Sequence, residues 1–236
     1  METNSTSDSF RQVSVILRGE PEPIDQWIRQ WDAGRMALYV LVIVVGTGFY
    51  GAAMGYWRAP EQALFTAIKF PLIILLTTLG TGLLNGMLAP LLGLSINFRQ
   101  SLQAVLMSFM ISGAILGSFS PVVFFVIWNS PSMSAYASRP YSTIMLLHVA
   151  LITFAGVAAN LRLGQLLQRL SGSVAISRRV LFAWLAVNFL LGSQLSWILR
   201  PFIGSPNLPV EFLRKNAFDG NFYEAVFNAI KQISFP

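Results

Sequence analysis

The sequence predicts an all-α fold, a polytopic transmembrane helical bundle of about five spans with amphipathic surface helices at both ends. Three observations carry that prediction. Of the 236 residues, 54% are hydrophobic and only 11% charged, too little polar material to clothe a soluble domain of this size. The mean hydropathy is +0.60. The charges gather at the two ends and in short connections, which leaves apolar runs long enough to cross the roughly 30 Å of bilayer hydrocarbon.

Taken in order, residues 1–10 read as a disordered polar tail, and no cleavable leader is expected because the first 35 residues carry Glu2, Asp8, Glu20, Glu22, Asp25 and Asp32. Ile24, Trp27, Ile28 and Trp31 recur at helical spacing after Pro23, the pattern of a short interfacial helix anchored by Trp27 and Trp31. The first span is expected over 36–57, between Arg35 and Arg58, with Tyr56 and Trp57 in the aromatic belt. The second, over 65–92, contains Pro71, Gly80, Gly82, Gly86 and Pro90 and is expected to be kinked or broken. The third covers 102–128, and the loop after it ends at Pro140. The fourth covers 141–161, an amphipathic stretch follows, and the fifth covers 180–199, stopping at Arg200-Pro201. Beyond it, residues 221–233 read as an amphipathic helix too polar to span, opened by an Asn221/Glu224 capping box. The expected organisation is therefore a cytoplasmic tail with interfacial helix over 1–35, a membrane domain over 36–203, and a C-terminal segment over 204–236 docked at the outer membrane surface.

Orientation follows from the basic residues. With the N-terminus inside, nine arginines fall on the cytoplasmic side (Arg11, Arg18, Arg29, Arg35, Arg99, Arg162, Arg169, Arg178, Arg179) against five basic residues outside (Arg58, Arg139, Arg214, Lys215, Lys231). The expected location is a cell inner membrane, multi-pass, with the N-terminus cytoplasmic and the C-terminus on the opposite side. The net charge of +6 fits contact with anionic headgroups, and without a basic stripe interleaved with aromatics no nucleic-acid partner is expected.

The chemistry available is narrow. Between Glu61 and Glu211 there is no Asp or Glu, which argues against a carboxylate-driven pump or cation carrier. With no cysteine, a single histidine at His148, no nucleotide-binding glycine loop and no nucleophile elbow, neither catalysis nor a cofactor or metal is expected. Lys69, His148 and Arg200 form the one polar constellation, all assigned to one leaflet. It reads either as a site for an anionic ligand or lipid headgroup, or as two snorkelling cations and a hydrogen-bonded core histidine. Arg200 is expected to find a counter-charge in Glu61, Glu211, Asp219, Glu224 or a lipid phosphate. Asn85, Asn160, Asn188 and Gln194 read as interhelical hydrogen-bonding groups. Gly51 with Gly55, Gly82 with Gly86 and Gly113 with Gly117 are helix-packing pairs, serving the bundle itself or one face for a partner subunit.

Several local elements carry a family likeness: Lys69-Phe70-Pro71 at the entry to a span, the 117–121 element G-S-F-S-P, the 192–206 block G-S-Q-L-S-W-I-L-R-P-F-I-G-S-P, and the 221–226 element N-F-Y-E-A-V. From the second span onward the chain resembles an uncharacterised family of bacterial multispanning membrane proteins, and in span count and N-in topology alone it is similar to the five-span Yip-type proteins. The resemblance implies no activity. The functional expectation is a non-enzymatic accessory or organising subunit of a membrane complex, with a membrane-protein partner or a second copy of the chain beside the lipid. The alternative is a small transporter or channel for an anionic or lipid-like substrate.

Overall fold

The computed structural model describes residues 3–18, 24, 26–28, 30–133, 138–205, 207–224 and 227. Six helices follow one another: α1 (Thr3–Arg18), α2 (Ala33–Tyr56), α3 (Pro60–Leu91), α4 (Phe98–Trp128), α5 (Ser138–Ser171) and α6 (Val174–Ile198), with no strand among the described residues. The last five are long and apolar enough to cross a bilayer, their most apolar windows having mean hydropathies from 1.6 to 2.1. The chain is an integral membrane protein built as an all-α polytopic bundle.

Local chemistry sets where the helices begin. The Asp32 carboxylate accepts from Gly34 N at 2.8 Å and Arg35 N at 3.2 Å, capping α2. Pro60 opens α3 at a position where no backbone donor is needed. Asn97 and Gln100 exchange bonds of 2.9 and 3.0 Å in a full capping box on α4. The Ser173 hydroxyl accepts from Ile176 N to start α6.

Three expectations are corrected. The N-terminal segment is not a disordered tail from its start, because Thr3–Arg18 is one helix. Ile16 at its end is fully buried and Val13 packs on the same core, contacts that a polar composition does not reveal. The second span is not broken, because α3 is one helix that runs through Pro71 and Pro90. The amphipathic stretch after the fourth span is no separate element. It continues α5 to Ser171 and supplies the first turn of α6, so both helices extend beyond their apolar runs.

The centre is a three-helix unit of α2, α3 and α4, on which α5 packs through α4 and α6 through α3. Glycine makes that unit possible. A Cβ on Gly46 would overlap the Gly113 carbonyl oxygen, and one on Gly117 would sit 2.7 Å from Gly46 Cα, so α2 and α4 cross backbone to backbone. A Cβ on Gly51 would lie 2.5 Å from the Thr66 carbonyl oxygen, and one on Gly55 would overlap that of Gln62. Gly82 and Gly86 face Leu102 and Phe98, their Cβ positions 2.9 Å from Leu102 Cδ1 and 3.2 Å from Phe98 Cα. All three predicted glycine pairs thus meet helices of the same chain.

Successive helices are antiparallel, which gives the bundle two ends. One collects the α2–α3 turn, the C-termini of α4 and α6, and the segment after α6; it is called the latch end below. The other collects the α3–α4 and α5–α6 turns and the N-terminal segment, where Gln103 Nε2 donates to Gln30 O at 3.2 Å and Arg35 lies over the Trp27 ring at 4.8 Å.

Candidate functional site

At the latch end, Gln62, Thr66 and Lys69 occupy positions i, i+4 and i+7 of α3, one stripe along the helix, and all three are fully buried. They seize the chain as it leaves α6. Lys69 Nζ donates to Pro201 O at 2.9 Å. Gln62 Nε2 donates to Pro201 O at 3.1 Å and to Phe202 O at 2.9 Å. Thr66 Oγ1 lies 2.7 Å from Phe202 O and 2.8 Å from Gln62 O, its single hydroxyl hydrogen shared between the two carbonyls. The turn after α6 has carbonyls that no helix satisfies, and in an apolar setting each left bare is expensive. The stripe supplies their donors. The Lys69 ammonium also sits 5.0 Å from the Phe212 ring centroid, a cation–π contact that stands in for water.

His148 belongs to a neighbouring arrangement. Its Nδ1 lies 2.9 Å from the Tyr50 hydroxyl, the rings are edge to face, and only 2% of the residue is exposed. Its Nε2 has no hydrogen-bond partner among the described residues. Tyr50 packs on Phe70 at 5.7 Å and Phe70 on Phe202 at 6.3 Å, so an aromatic row joins the histidine to the latch. His148 and Lys69 therefore share one end of the bundle, but each has its own partner.

Arg200 is engaged separately from both. Its guanidinium lies 3.8 Å above the Trp197 ring and donates to Trp197 O at 2.6 Å and Asn216 O at 3.4 Å. Among the described residues it forms no ion pair with a carboxylate. With Arg214, Lys215, Glu211, Leu208 and Asn216 it lines a pocket of about 520 Å³. Desolvation and the neighbouring Arg214 charge push Arg200 below its ordinary pKa, with Asp219 opposing. The pocket wall is pinned beneath: Phe212 meets Phe65 edge to face at 5.5 Å, and Arg214 Nη1 donates to Glu211 Oε1 at 2.7 Å. Residues 219–223 fold back on α6, where Trp197 Nε1 donates to Asp219 O at 3.3 Å and the Tyr223 hydroxyl to Leu190 O at 2.8 Å. Glu224 N donates to Asn221 Oδ1, one of the two bonds of the expected capping box, and the rest of the expected 221–233 helix lies largely outside the described residues.

The partners that sequence reasoning missed are Gln62, Thr66, Tyr50, Arg214 and Lys215. Only the first two had a readable signal, their helical spacing to Lys69. Of the expected interhelical amides, Asn160 bonds within its own helix to Gly156 O at 2.8 Å, and Gln194 Oε1 accepts from Phe222 N at 3.3 Å. Asn85 has no partner for either side-chain atom among the described residues.

A second feature lies between α5 and α6, a groove of about 590 Å³ lined in part by Gly156, Asn160, Gly164, Gln168, Ser177 and Arg178. These two helices are the least covered spans, 22% and 17% buried in their apolar windows against 39% for α2 and α4. A Cβ on Gly156 would meet nothing within 4 Å.

Fold and site together define a polytopic membrane protein with a latched end and an open helix pair. The chain matches no family model, no curated protein and no solved structure.

Proposed function

We propose that the protein is a non-enzymatic accessory or organising subunit of a membrane complex, seated in a cell inner membrane with its N-terminus in the cytoplasm and its C-terminus opposite. The observation that carries this reading is the open α5–α6 groove. Gln168 and Arg178 bring exposed polar atoms to a groove otherwise lined largely by apolar side chains, and Gly156 leaves room for a backbone to approach. The occupant is a transmembrane helix of a partner protein with an acidic cytoplasmic flank. Arg169, Arg178 and Arg179 lie on either side of the adjoining turn, and none of them forms an ion pair with a carboxylate among the described residues. Charge complementarity then selects the partner and its orientation.

The test is copurification from mild detergent, with site-specific crosslinking from position 157 on the groove wall. A second membrane protein should be retained and crosslinked when residue 156 is glycine and lost from Gly156→Trp, whose side chain would occupy the groove. Recovery of lipid alone at position 157 would remove the protein partner. A chain that purifies by itself and carries anion flux in liposomes would favour the second reading, a small transporter, for which the basic pocket at the latch end is the supporting observation.

A further inference from the structure

We propose that Arg200, Arg214 and Lys215 form a binding site for a phosphate-type anion at the latch end, distinct from the α5–α6 groove and independent of the function read from it. Three cations and one carboxylate line the pocket, and that carboxylate, Glu211, bonds a single nitrogen of Arg214. Lys215 is exposed and has no ion pair among the described residues. The excess positive charge matches a phosphate, which carries one or two negative charges at neutral pH.

Geometry favours an oxyanion over a mere cloud of counterions. Arg200 is held by its stack on Trp197 and by two backbone carbonyls, which use one face and part of the guanidinium fork. The Arg214 side chain is 14% exposed and fixed by Glu211. Two guanidinium groups held in place in this way lose little freedom on binding, and their planar forks suit the paired oxygens of a phosphate. Arg214 presses on the Arg200 charge against the opposing pull of Asp219, and an anion seated between the two guanidinium groups relieves that repulsion further. The structure has already invested in this shape, because Phe212, between Glu211 and Arg214 in the sequence, is anchored on Phe65 and over Lys69. Phe218, two residues after Asn216 and 78% exposed, is a ring suited to the bilayer interface, which favours a lipid phosphodiester as the source of the anion.

The experiment uses the full-length protein in nanodiscs and in detergent. Retention of phosphatidylglycerol against phosphatidylcholine is read by native mass spectrometry, and competition by inorganic phosphate is read by the same release. Wild type should hold phosphatidylglycerol preferentially. Lys215→Gln, at an exposed and unpaired position that leaves the fold intact, and Arg200→Lys should each weaken retention about tenfold, as expected for loss of a charge-assisted hydrogen bond. Glu211→Gln should strengthen it several-fold, because it removes the competing carboxylate and frees Arg214; a purely structural role for these residues does not produce that sign. Displacement by millimolar inorganic phosphate identifies a free anion as the ligand, and resistance to it identifies the lipid headgroup. Equal retention of the two lipids with no phosphate binding, or retention unchanged in both Lys215→Gln and Arg200→Lys, would overturn the proposal.

Discussion

Lys69 Nζ and Gln62 Nε2 both donate to one oxygen, the carbonyl of Pro201, at 2.9 and 3.1 Å. The two donors stand seven residues apart on α3 and reach a residue that follows them by more than 130 positions. This shared acceptor ties the exit of the last span to the entry of the second.

A shared acceptor predicts non-additive substitutions. Lys69→Met leaves the oxygen with Gln62, and Gln62→Leu leaves it with Lys69, so each alone should cost about 1 kcal/mol. The double variant strands the carbonyl and should exceed the sum by roughly 1 kcal/mol or more. Thermal unfolding in a single detergent reads all four proteins. Strict additivity would show that the two bonds are independent of one another.

The Tyr50–His148 pair makes a second case. Tyr50→Phe should destabilise by about 1–3 kcal/mol, because it leaves a buried imidazole with neither ring nitrogen bonded. Replacing both residues by phenylalanine removes the stranded group and should recover most of that loss. A double variant less stable than Tyr50→Phe would mean that packing, and not the hydrogen bond, governs this position.

Glycine substitutions should divide sharply by location. Gly46→Ala forces a methyl group onto the Gly113 carbonyl and should cost about 1–3 kcal/mol through displacement of α4. At Gly156 the added methyl meets no atom, and the same substitution should be neutral or stabilise by up to about 1 kcal/mol through helix propensity. Circular dichroism melts compare the two directly, and equal effects would contradict the α2–α4 crossing.

The orientation read from the arginine count is open to labelling, because the chain has no native cysteine to interfere. With a membrane-impermeant maleimide on intact cells, Asn207→Cys should react and Ser171→Cys should react only after permeabilisation. The reverse pattern would invert the topology and move the basic pocket to the cytoplasmic face.

Hydropathy alone made the five spans legible, because a helix in lipid must satisfy its own backbone and clothe it in apolar side chains, and both demands are local. The ends of the helices were less legible. α5 and α6 outrun their apolar segments because helix backbone bonding continues through their polar ends beyond the hydrocarbon, so that only residues 172–173 separate them. Thr3–Arg18 was missed for the opposite reason: its support comes from the burial of Ile16, a contact with residues far along the chain.

The sequence by itself determined that this protein lives in a bilayer, that its spans are helices joined by short turns, and that its few basic groups gather at the span ends. Those properties follow from the cost of transferring each segment into lipid, summed residue by residue. Only the tertiary structure decided what the polar groups do. Lys69 proved to be a donor to a distant carbonyl, His148 the partner of Tyr50, and Arg200 the wall of a pocket completed by Arg214 and Lys215. A buried polar side chain announces in sequence only that it needs a partner. Which partner it finds depends on helix order and close approach at glycines such as Gly46, Gly51 and Gly117, where backbones meet across long stretches of chain.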